Sequence, residues 1–348
     1  MKKENKAPVA NGENGYVKIT PVQRIVRSKA FTLIVLLVVL IALFTVLAPL
    51  NGANFFKAKT FVDILRDLAV PSFLTIGSAC LMVSGALDLS QARAGALCAV
   101  FVAVSVAWWG MSWPLAVVLA LCCTAVLGLV NALLVNELHF QPFIATMAMS
   151  SVVAAIMMML STDKNGQVMA AVNFKSDMAT NFINISIGPI PITVILLVIA
   201  FIVYGIVLSK TKFGRTMYLI GGNPTAARLS GINSKRLSYF LFLNCSVLSG
   251  FAGILYSSRV LQGGTLALST DQFTGMTAAI LGGVSFGGGG GGMGGVFIAL
   301  ICIKLFNKGM QIIGASSYLT SVLSGALLLA ALSLDYFSQR RQQKRLGA

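Results

Sequence analysis

The charged and amide side chains that could bind a solute or take part in chemistry stand out because they interrupt long apolar runs. Asp88 follows one such run, and Lys304 and Lys308 stand four residues apart in another, on one face of a predicted helix. Asn131 and Asn244 lie in two further runs. Polar groups inside a membrane cost free energy unless they face water, protein or an opposite charge. Such residues therefore mark a path for solutes or ions, or contacts that hold helices together.

The residues that most often catalyse reactions or bind metals are sparse. His139 is the single histidine, and the six cysteines all fall in apolar runs without a CxxC pair. A metal site needs several such ligands together, and the glycine run 287–292 lacks the Gly-Lys-Ser/Thr that completes a phosphate-binding loop. The sequence therefore predicts no catalytic residue, no metal and no cofactor in this chain.

The elements that must carry these polar residues are membrane-spanning helices. Of the 348 residues, 57% are hydrophobic and only 10% are charged, which is too few charges for a water-exposed surface. The first apolar run, 31–50, can cross a hydrocarbon core about 30 Å thick. The polar segment before it and Pro49 near its end favour an uncleaved anchor over a signal peptide.

Further apolar runs lie at 68–84, 94–109, 114–135, 143–160, 190–209, 237–258, 272–286, 294–313 and 317–335. None of them alternates with period 2, so we predict an all-α fold, a polytopic transmembrane helical bundle of about ten spans. The eighth run, 272–286, is the least regular because six glycines follow it directly. It could dip into the membrane and return, but removing one crossing would place the basic residues of 340–345 outside. We therefore expect it to cross.

The distribution of lysine and arginine predicts the orientation of the spans. With ten crossings and a cytoplasmic N-terminus, the cytoplasmic segments carry 18 basic residues and the outer loops carry six. This asymmetry follows the positive-inside rule, so both termini are predicted to be cytoplasmic. The net charge of +16 then reflects membrane topology, and no nucleic-acid partner is predicted. The chain divides into a polar tail over 1–29, expected to be disordered, a transmembrane domain over 30–336 and a basic tail over 337–348.

The segment 210–236 contains six basic residues and no acidic one, and is therefore predicted to be a cytoplasmic loop. Asn223 is a favourable N-cap, Pro224 suits the first helical turn, and Gly231 suits a left-handed stop. The sequence thus predicts a short helix, with Leu229 and Ile232 available to enter a groove on a partner. The alternative is an ordinary solvated loop that contains a helix without a partner.

Several blocks of the sequence, in order, resemble one family. They are SGALDLSQARAGAL (84–97), GLVNALLVNELHFQPFIATMAMSS (128–151), IGPIPITVI (187–195), KTKFGRTMYLIGGNPTAARLSGIN (210–233), LSGFAGILYSSRV (248–260), AAILGGVSFGGGGGG (278–292) and NKGMQIIGASSYLTSVLSGALLLAAL (307–332). From about residue 60 to 335 the chain is similar to the permease subunits of ATP-binding-cassette (ABC) importers for simple sugars, of the ribose, xylose, arabinose and galactose type.

The resemblance implies a homodimer that encloses a translocation path, ABC ATPase subunits docked on its cytoplasmic side, and an extracytoplasmic solute-binding protein that delivers the solute. It also implies that the capped helix couples ATP hydrolysis to movement of the spans. The residues assigned to this coupling segment are Gly222, Asn223, Pro224, Ala226, Ala227, Arg228, Leu229, Ser230, Gly231 and Ile232.

The polar residues of the spans are the candidates for the translocation path: Asp88, Ser90, Asn131, Asn244, Lys304, Asn307 and Lys308. Each has a structural alternative. The Asp88 carboxylate could cap the next helix, and the asparagines could join helices at about 0.6–2 kcal/mol each. Lys304 could pair with Asp271 or Asp88, while Lys308 reaches the membrane interface. If the two lysines instead face water, they would favour an anionic or highly polar solute.

The predicted function is that of a permease subunit of an ABC importer for a monosaccharide or similar small polar solute. The predicted location is the bacterial inner membrane, in contact with lipid, with ATP hydrolysed on separate subunits. An ion-coupled secondary transporter or channel is the alternative, and it would need ion-coupling carboxylates in the membrane, for which Asp88 is a candidate. A membrane-embedded enzyme would need paired catalytic side chains, which the apolar runs do not carry.

Overall fold

The structure, a computed structural model, describes residues 29–50, 52–188, 190–316 and 318–326, together with Leu329 and Ser333. Within these residues the protein is mostly helical, as predicted, with four very short strands. Residues 1–28 and 334–348 lie outside the described residues, as does much of the second half of the last apolar run. The expectations for the two tails and for a tenth span therefore stay predictions.

The helices are α1 (Lys29–Leu50), α2 (Ala58–Val83), α3 (Gln91–Ala107), α4 (Trp113–Asn136), α5 (Pro142–Leu160), α6 (Asp177–Asn184), α7 (Ile192–Lys210), α8 (Lys212–Gly222), α9 (Pro224–Leu229), α10 (Ser234–Val260), α11 (Ser269–Leu281) and α12 (Met293–Ile312). Residues 318–326 are also helical. The strands are β1 (Ala171–Asn173), β2 (Ser186–Ile187), β3 (Ile190–Pro191) and β4 (Gln262–Gly264). They form two antiparallel pairs, β1 with β4 and β2 with β3.

Seven of the described helices are long and apolar enough to cross a membrane, namely α1, α2, α4, α5, α7, α10 and α12. Helix α3 is apolar but has only 17 residues. Helix α11, which overlaps the eighth predicted span, has 13 residues, or about 20 Å at 1.5 Å per residue. It is shorter than the run 272–286 suggests because the glycines after Leu281 favour a turn over helix. The total of about ten spans stays a prediction.

The spans with the lowest hydropathy are the most buried. Helix α2 has a mean hydropathy of 1.4 with 83% of its most apolar window buried, whereas α1 has 3.1 with 17% buried. This order is expected in a bilayer, since lipid accepts apolar surface and interior helices approach each other through small and polar residues. Helix α10 packs on α3, α4 and α2, and its small residues Ser246, Ser249, Gly250 and Gly253 are buried.

Candidate functional site

The predicted helix of the segment 210–236 is present as α9. The side chain of Asn223 caps it by accepting a hydrogen bond from the Ala226 N–H at 2.9 Å, and Pro224 occupies the first turn. The Ser230 hydroxyl donates to the Ala226 carbonyl at 2.9 Å. Gly231 follows with φ of 76°, a conformation that glycine adopts without strain. The start and the stop of this helix are therefore those that its sequence predicts.

The side chains of α9 face two environments. Ala227 is 3% exposed because this side of the helix packs against the rest of the loop, whereas Leu229 is 85% exposed. Arg228 is also exposed, and Ile232 is half-buried. An apolar side chain so exposed beside a cation is a suitable anchor for a partner's groove. Of the two apolar residues expected to enter a groove, Leu229 is the one that protrudes.

A second contact joins this loop to the neighbouring loop between α4 and α5. The Lys235 ammonium lies 2.8 Å from the Glu137 carboxylate, and the Tyr239 hydroxyl donates to the same carboxylate at 3.4 Å. The hydrogen bond from Lys235 lowers the pKa of Glu137 below its ordinary value. Glu137 is therefore ionised at neutral pH and ties the first turn of α10 to the loop that contains His139.

Several glycines from distant parts of the chain pack closely together next to α9. The Gly289 N–H donates to the Val83 carbonyl, the last residue of α2, at 2.9 Å. A Cβ atom placed on Gly288 would lie 2.8 Å from the Gly221 carbonyl oxygen and 2.9 Å from the Gly85 Cα. We call Gly85, Gly221, Gly222, Gly288 and Gly289 the glycine junction. It brings three segments into backbone contact: the turn after α2, the end of α8 next to α9, and the loop before α12.

Three of the predicted path residues form one buried cluster. The Asp88 carboxylate accepts hydrogen bonds from the Ser90 N–H at 2.8 Å and the Ser90 hydroxyl at 2.6 Å. The Asn131 amide donates to the Ser90 hydroxyl at 2.7 Å, and all three side chains are buried. Because Ser90 is the residue directly before α3, the carboxylate lies beside the start of that helix. The structural alternative was that Asp88 caps α3, and these bonds place its carboxylate at the turn between α2 and α3, directly before that helix.

Two glutamines that the sequence reading did not single out extend this cluster. Gln91 accepts a hydrogen bond from the Ser78 hydroxyl of α2 at 2.6 Å, and the Gln272 amide of α11 donates to the Leu89 carbonyl at 3.0 Å. The sequence around Gln91 and Gln272 does not predict these hydrogen bonds, because Ser78 and Leu89, the residues they contact, lie elsewhere in the chain. The turn between α2 and α3 is therefore held from both sides.

Asn244 lies apart from this cluster. The Tyr204 hydroxyl donates to the Asn244 side-chain carbonyl across α7 and α10. Both residues line a cavity of about 790 Å³ whose other walls are mostly apolar, with Arg236 among the few polar residues. Asn244 thus joins two helices beside an apolar cavity, as its structural alternative predicted.

A more polar cavity of about 400 Å³ lies between α11, α12 and residues 318–326. We call it the polar chamber. Its lining residues are Thr270, Asp271, Phe273, Thr274, Thr277, Ile303, Lys304, Asn307, Gln311, Ala315, Thr320, Ser321, Ser324 and Gly325. Three polar stripes at helical spacing supply most of this lining: Thr270, Thr274 and Thr277, then Lys304, Asn307 and Gln311, then Thr320 and Ser324. Two predicted path residues, Lys304 and Asn307, thus meet in one cavity.

The two lysines of α12 have different partners. The Lys304 ammonium lies 2.8 Å from the Asp271 carboxylate, with the side chains 16% and 19% exposed. Asp271 is one of the two partners that the sequence reading offered. The Lys308 ammonium lies 3.8 Å from the Asp63 carboxylate on α2 and does not line the chamber. The sequence analysis did not predict that the threonines of α11 line a cavity, although Thr270, Thr274 and Thr277 recur at helical spacing in the sequence.

The long apolar helices, the buried polar cluster and the chamber between helices together define a polytopic helical membrane protein with polar groups inside its bundle. The chain belongs to the family described as branched-chain amino acid transport system / permease component, which matches residues 60–332. This range agrees with the resemblance predicted from residue 60 to 335, which is confirmed. The chain is thus a membrane transport component.

Curated relatives match nearly the whole chain. It is 31% identical over 299 residues to the ribose import permease protein of Bacillus subtilis, covering 86% of this chain and 90% of that protein. It is 29% identical over 318 residues to the galactose/methyl galactoside import permease protein of Haemophilus influenzae, covering 88% and 92%. The fructose import permease protein of Rhizobium meliloti is 26% identical over 318 residues, covering 89% and 86%. No solved structure matches the chain.

Proposed function

We propose that this chain is the permease subunit of an ABC importer that carries a monosaccharide or similar small polar solute across the bacterial inner membrane. The observation that carries this proposal is the similarity over 86% of the chain to a ribose import permease, together with galactose and fructose relatives. The family description names branched-chain amino acids as the transported solute. The hydroxyl-rich lining of the chamber favours a sugar over such an apolar amino acid.

The proposal includes the partners that such a subunit requires. A separate ATPase hydrolyses ATP on the cytoplasmic side, an extracytoplasmic protein delivers the solute, and two copies of this chain enclose the path. About ten spans and two cytoplasmic termini belong to the same proposal, supported by the charge asymmetry of the loops.

Coupling is proposed to run through residues 222–232. Leu229 supports this role because it protrudes into solvent from a capped helix, and Arg228 beside it supplies a cation. Ala227 does not serve as docking surface, since its methyl group packs inward and holds α9 in place. Movement of α9 would reach the spans through the glycine junction.

The translocation path is proposed to include the polar chamber with Lys304 and Asn307. Asp88, Ser90 and Asn131 position the turn between α2 and α3. An ion-coupled secondary transporter is not favoured by the relatives, which are import permeases. It is also not favoured by Asp88, which is 4% exposed and whose carboxylate already accepts hydrogen bonds from Ser90.

The test is co-purification through a tag on this chain from its native membrane, followed by identification of the bound proteins and an ATPase assay. We expect an ATPase to co-purify with the wild type and to be lost from Leu229→Glu, because a carboxylate cannot enter an apolar groove without losing its hydration. Ile187→Glu is the matched control, since Ile187 is also an exposed apolar residue but lies in the β2–β3 hairpin. If no ATPase binds the wild-type chain, the proposed function is wrong.

A further inference from the structure

The hydrogen-bonding groups of the polar chamber include both donors and acceptors. The hydroxyl hydrogens of Thr274 and Thr277 are donated to helix carbonyls at 3.0 and 2.7 Å, so their oxygens keep lone pairs for a solute. The side-chain carbonyl of Asn307 accepts from Ser324 at 3.4 Å, and its NH₂ group is a donor. A sugar hydroxyl both donates and accepts, so this lining can satisfy it in either sense.

The charge of the chamber is balanced. Among its lining residues in the described chain, Asp271 and Lys304 carry the ionised groups, and they form a pair at 2.8 Å. A phosphorylated or acidic sugar would bring a negative charge into a site whose single cation is already neutralised, and it would lose its hydration without compensation. A neutral solute meets no such cost.

The size and the apolar part of the chamber fit the same class of solute. Its volume of about 400 Å³ lies within the range of small-molecule sites, about 300–1,000 Å³. Phe273, which is 56% exposed, and Ile303 supply apolar surface for the carbon-bound hydrogens of a ring.

We propose that the polar chamber is a binding site for a neutral, polyhydroxylated solute, an unphosphorylated aldose or ketose, and that Asp271 sets this selectivity by cancelling the charge of Lys304. This inference rests on the proposed function, which supplies the transport of such a solute. Of the two solute classes expected if the lysines of α12 face water, anionic or highly polar, it keeps only the second, because Lys304 and Lys308 each face a carboxylate.

The occupancy test uses the full importer, purified with its partners and reconstituted in proteoliposomes. Thr274→Cys adds a thiol to the chamber, and Thr124→Cys adds one at a fully buried position of α4 as a control. Labelling by a water-soluble methanethiosulfonate is measured at rest and during ATP turnover, with the wild-type cysteines as background. We expect Thr274→Cys to react, and the sugar among ribose, galactose and fructose that the importer carries to slow the reaction several-fold.

The charge test compares an anionic and a cationic methanethiosulfonate on Thr274→Cys. Adding Asp271→Asn leaves Lys304 unpaired and should raise the ratio of anionic to cationic labelling by about tenfold. Adding Asp63→Asn instead removes the partner of Lys308, which lies outside the chamber, and should leave the ratio nearly unchanged.

The outcomes separate this inference from the proposed function. The binding site alone is overturned if the wild type imports sugar but the Thr274→Cys thiol does not react, either at rest or during turnover. It is also overturned if the thiol reacts but no transported sugar protects it. An unchanged labelling ratio in Asp271→Asn overturns the role of Asp271. Absence of both ATPase association and sugar import in the wild type overturns the proposed function itself.

Discussion

The role of a polar residue in this bundle depends on the residue that faces it. Lys304 and Lys308 are alike in type and lie one helical turn apart, yet Lys304 pairs with Asp271 inside the chamber, and Lys308 approaches Asp63 on α2. A lone charge in a membrane is costly, and each lysine has a carboxylate within 4 Å. Each lysine of α12 is therefore balanced by a carboxylate of a neighbouring helix.

The Lys304–Asp271 pair gives a prediction for stability. Lys304→Met leaves a mostly buried carboxylate without its partner, and breaking such a pair costs about 3 kcal/mol or more. We expect a lower thermal unfolding temperature of the purified protein in detergent. The charge-swapped double variant, Lys304→Asp with Asp271→Lys, should recover part of the loss. Equal unfolding temperatures for the single variant and the wild type would show that the Lys304–Asp271 pair does not stabilise the protein.

At the scale of elements, the glycine junction links the capped helix to the spans. Gly221 and Gly222 end α8 directly before α9, and their backbone touches that of Gly288 and Gly289 in the loop before α12. The Tyr218 hydroxyl of α8 also donates to the Gly291 carbonyl of this loop at 2.7 Å. Backbones this close move together, so a displacement of α9 is transmitted without intervening side chains.

The junction predicts a coupling defect. Gly288→Ala introduces a methyl group 2.8 Å from the Gly221 carbonyl oxygen, at a φ of 88° that disfavours alanine. We expect the variant to keep its ATPase subunit and ATP hydrolysis but to import less sugar per ATP. Gly292→Ala is the control, since Gly292 has an extended backbone and no neighbour within 4 Å of an added Cβ. Equal import per ATP in both variants would argue against transmission through the junction.

At the scale of the whole molecule, burial follows the polarity of the spans. The most apolar described span, α1, lies at the periphery, and α2 and α10, which contain more small and polar residues, lie inside. In a water-soluble protein the most apolar helices would instead be buried and the more polar ones exposed. The charge asymmetry of the loops predicts which end of the bundle faces the cytoplasm.

This orientation predicts the accessibility of single thiols. Asn165 and Arg228 are both exposed, in loops that the charge rule places on opposite sides of the membrane. In intact cells, a membrane-impermeant thiol reagent should label Asn165→Cys above the wild-type background and should label Arg228→Cys only after permeabilisation. The opposite pattern would reverse the assigned orientation.

Local features of this protein were determined by the sequence alone, because they depend on residues close together in the chain. Within the described residues, the apolar runs predict helices that the structure confirms, and Asn223, Pro224 and Gly231 predict the start and stop of α9. The family could be identified from the sequence for the same reason, because its motifs are contiguous blocks.

Tertiary structure alone decided which distant residues meet. The pairing of Lys304 with Asp271 rather than Asp88, the burial of Asp88 with Ser90 and Asn131, and the glycine junction all depend on how the helices pack. A span of about twenty apolar residues tolerates many rotations about its own axis in lipid. Packing against neighbouring helices selects one rotation, and that selection brings three polar stripes together around one chamber.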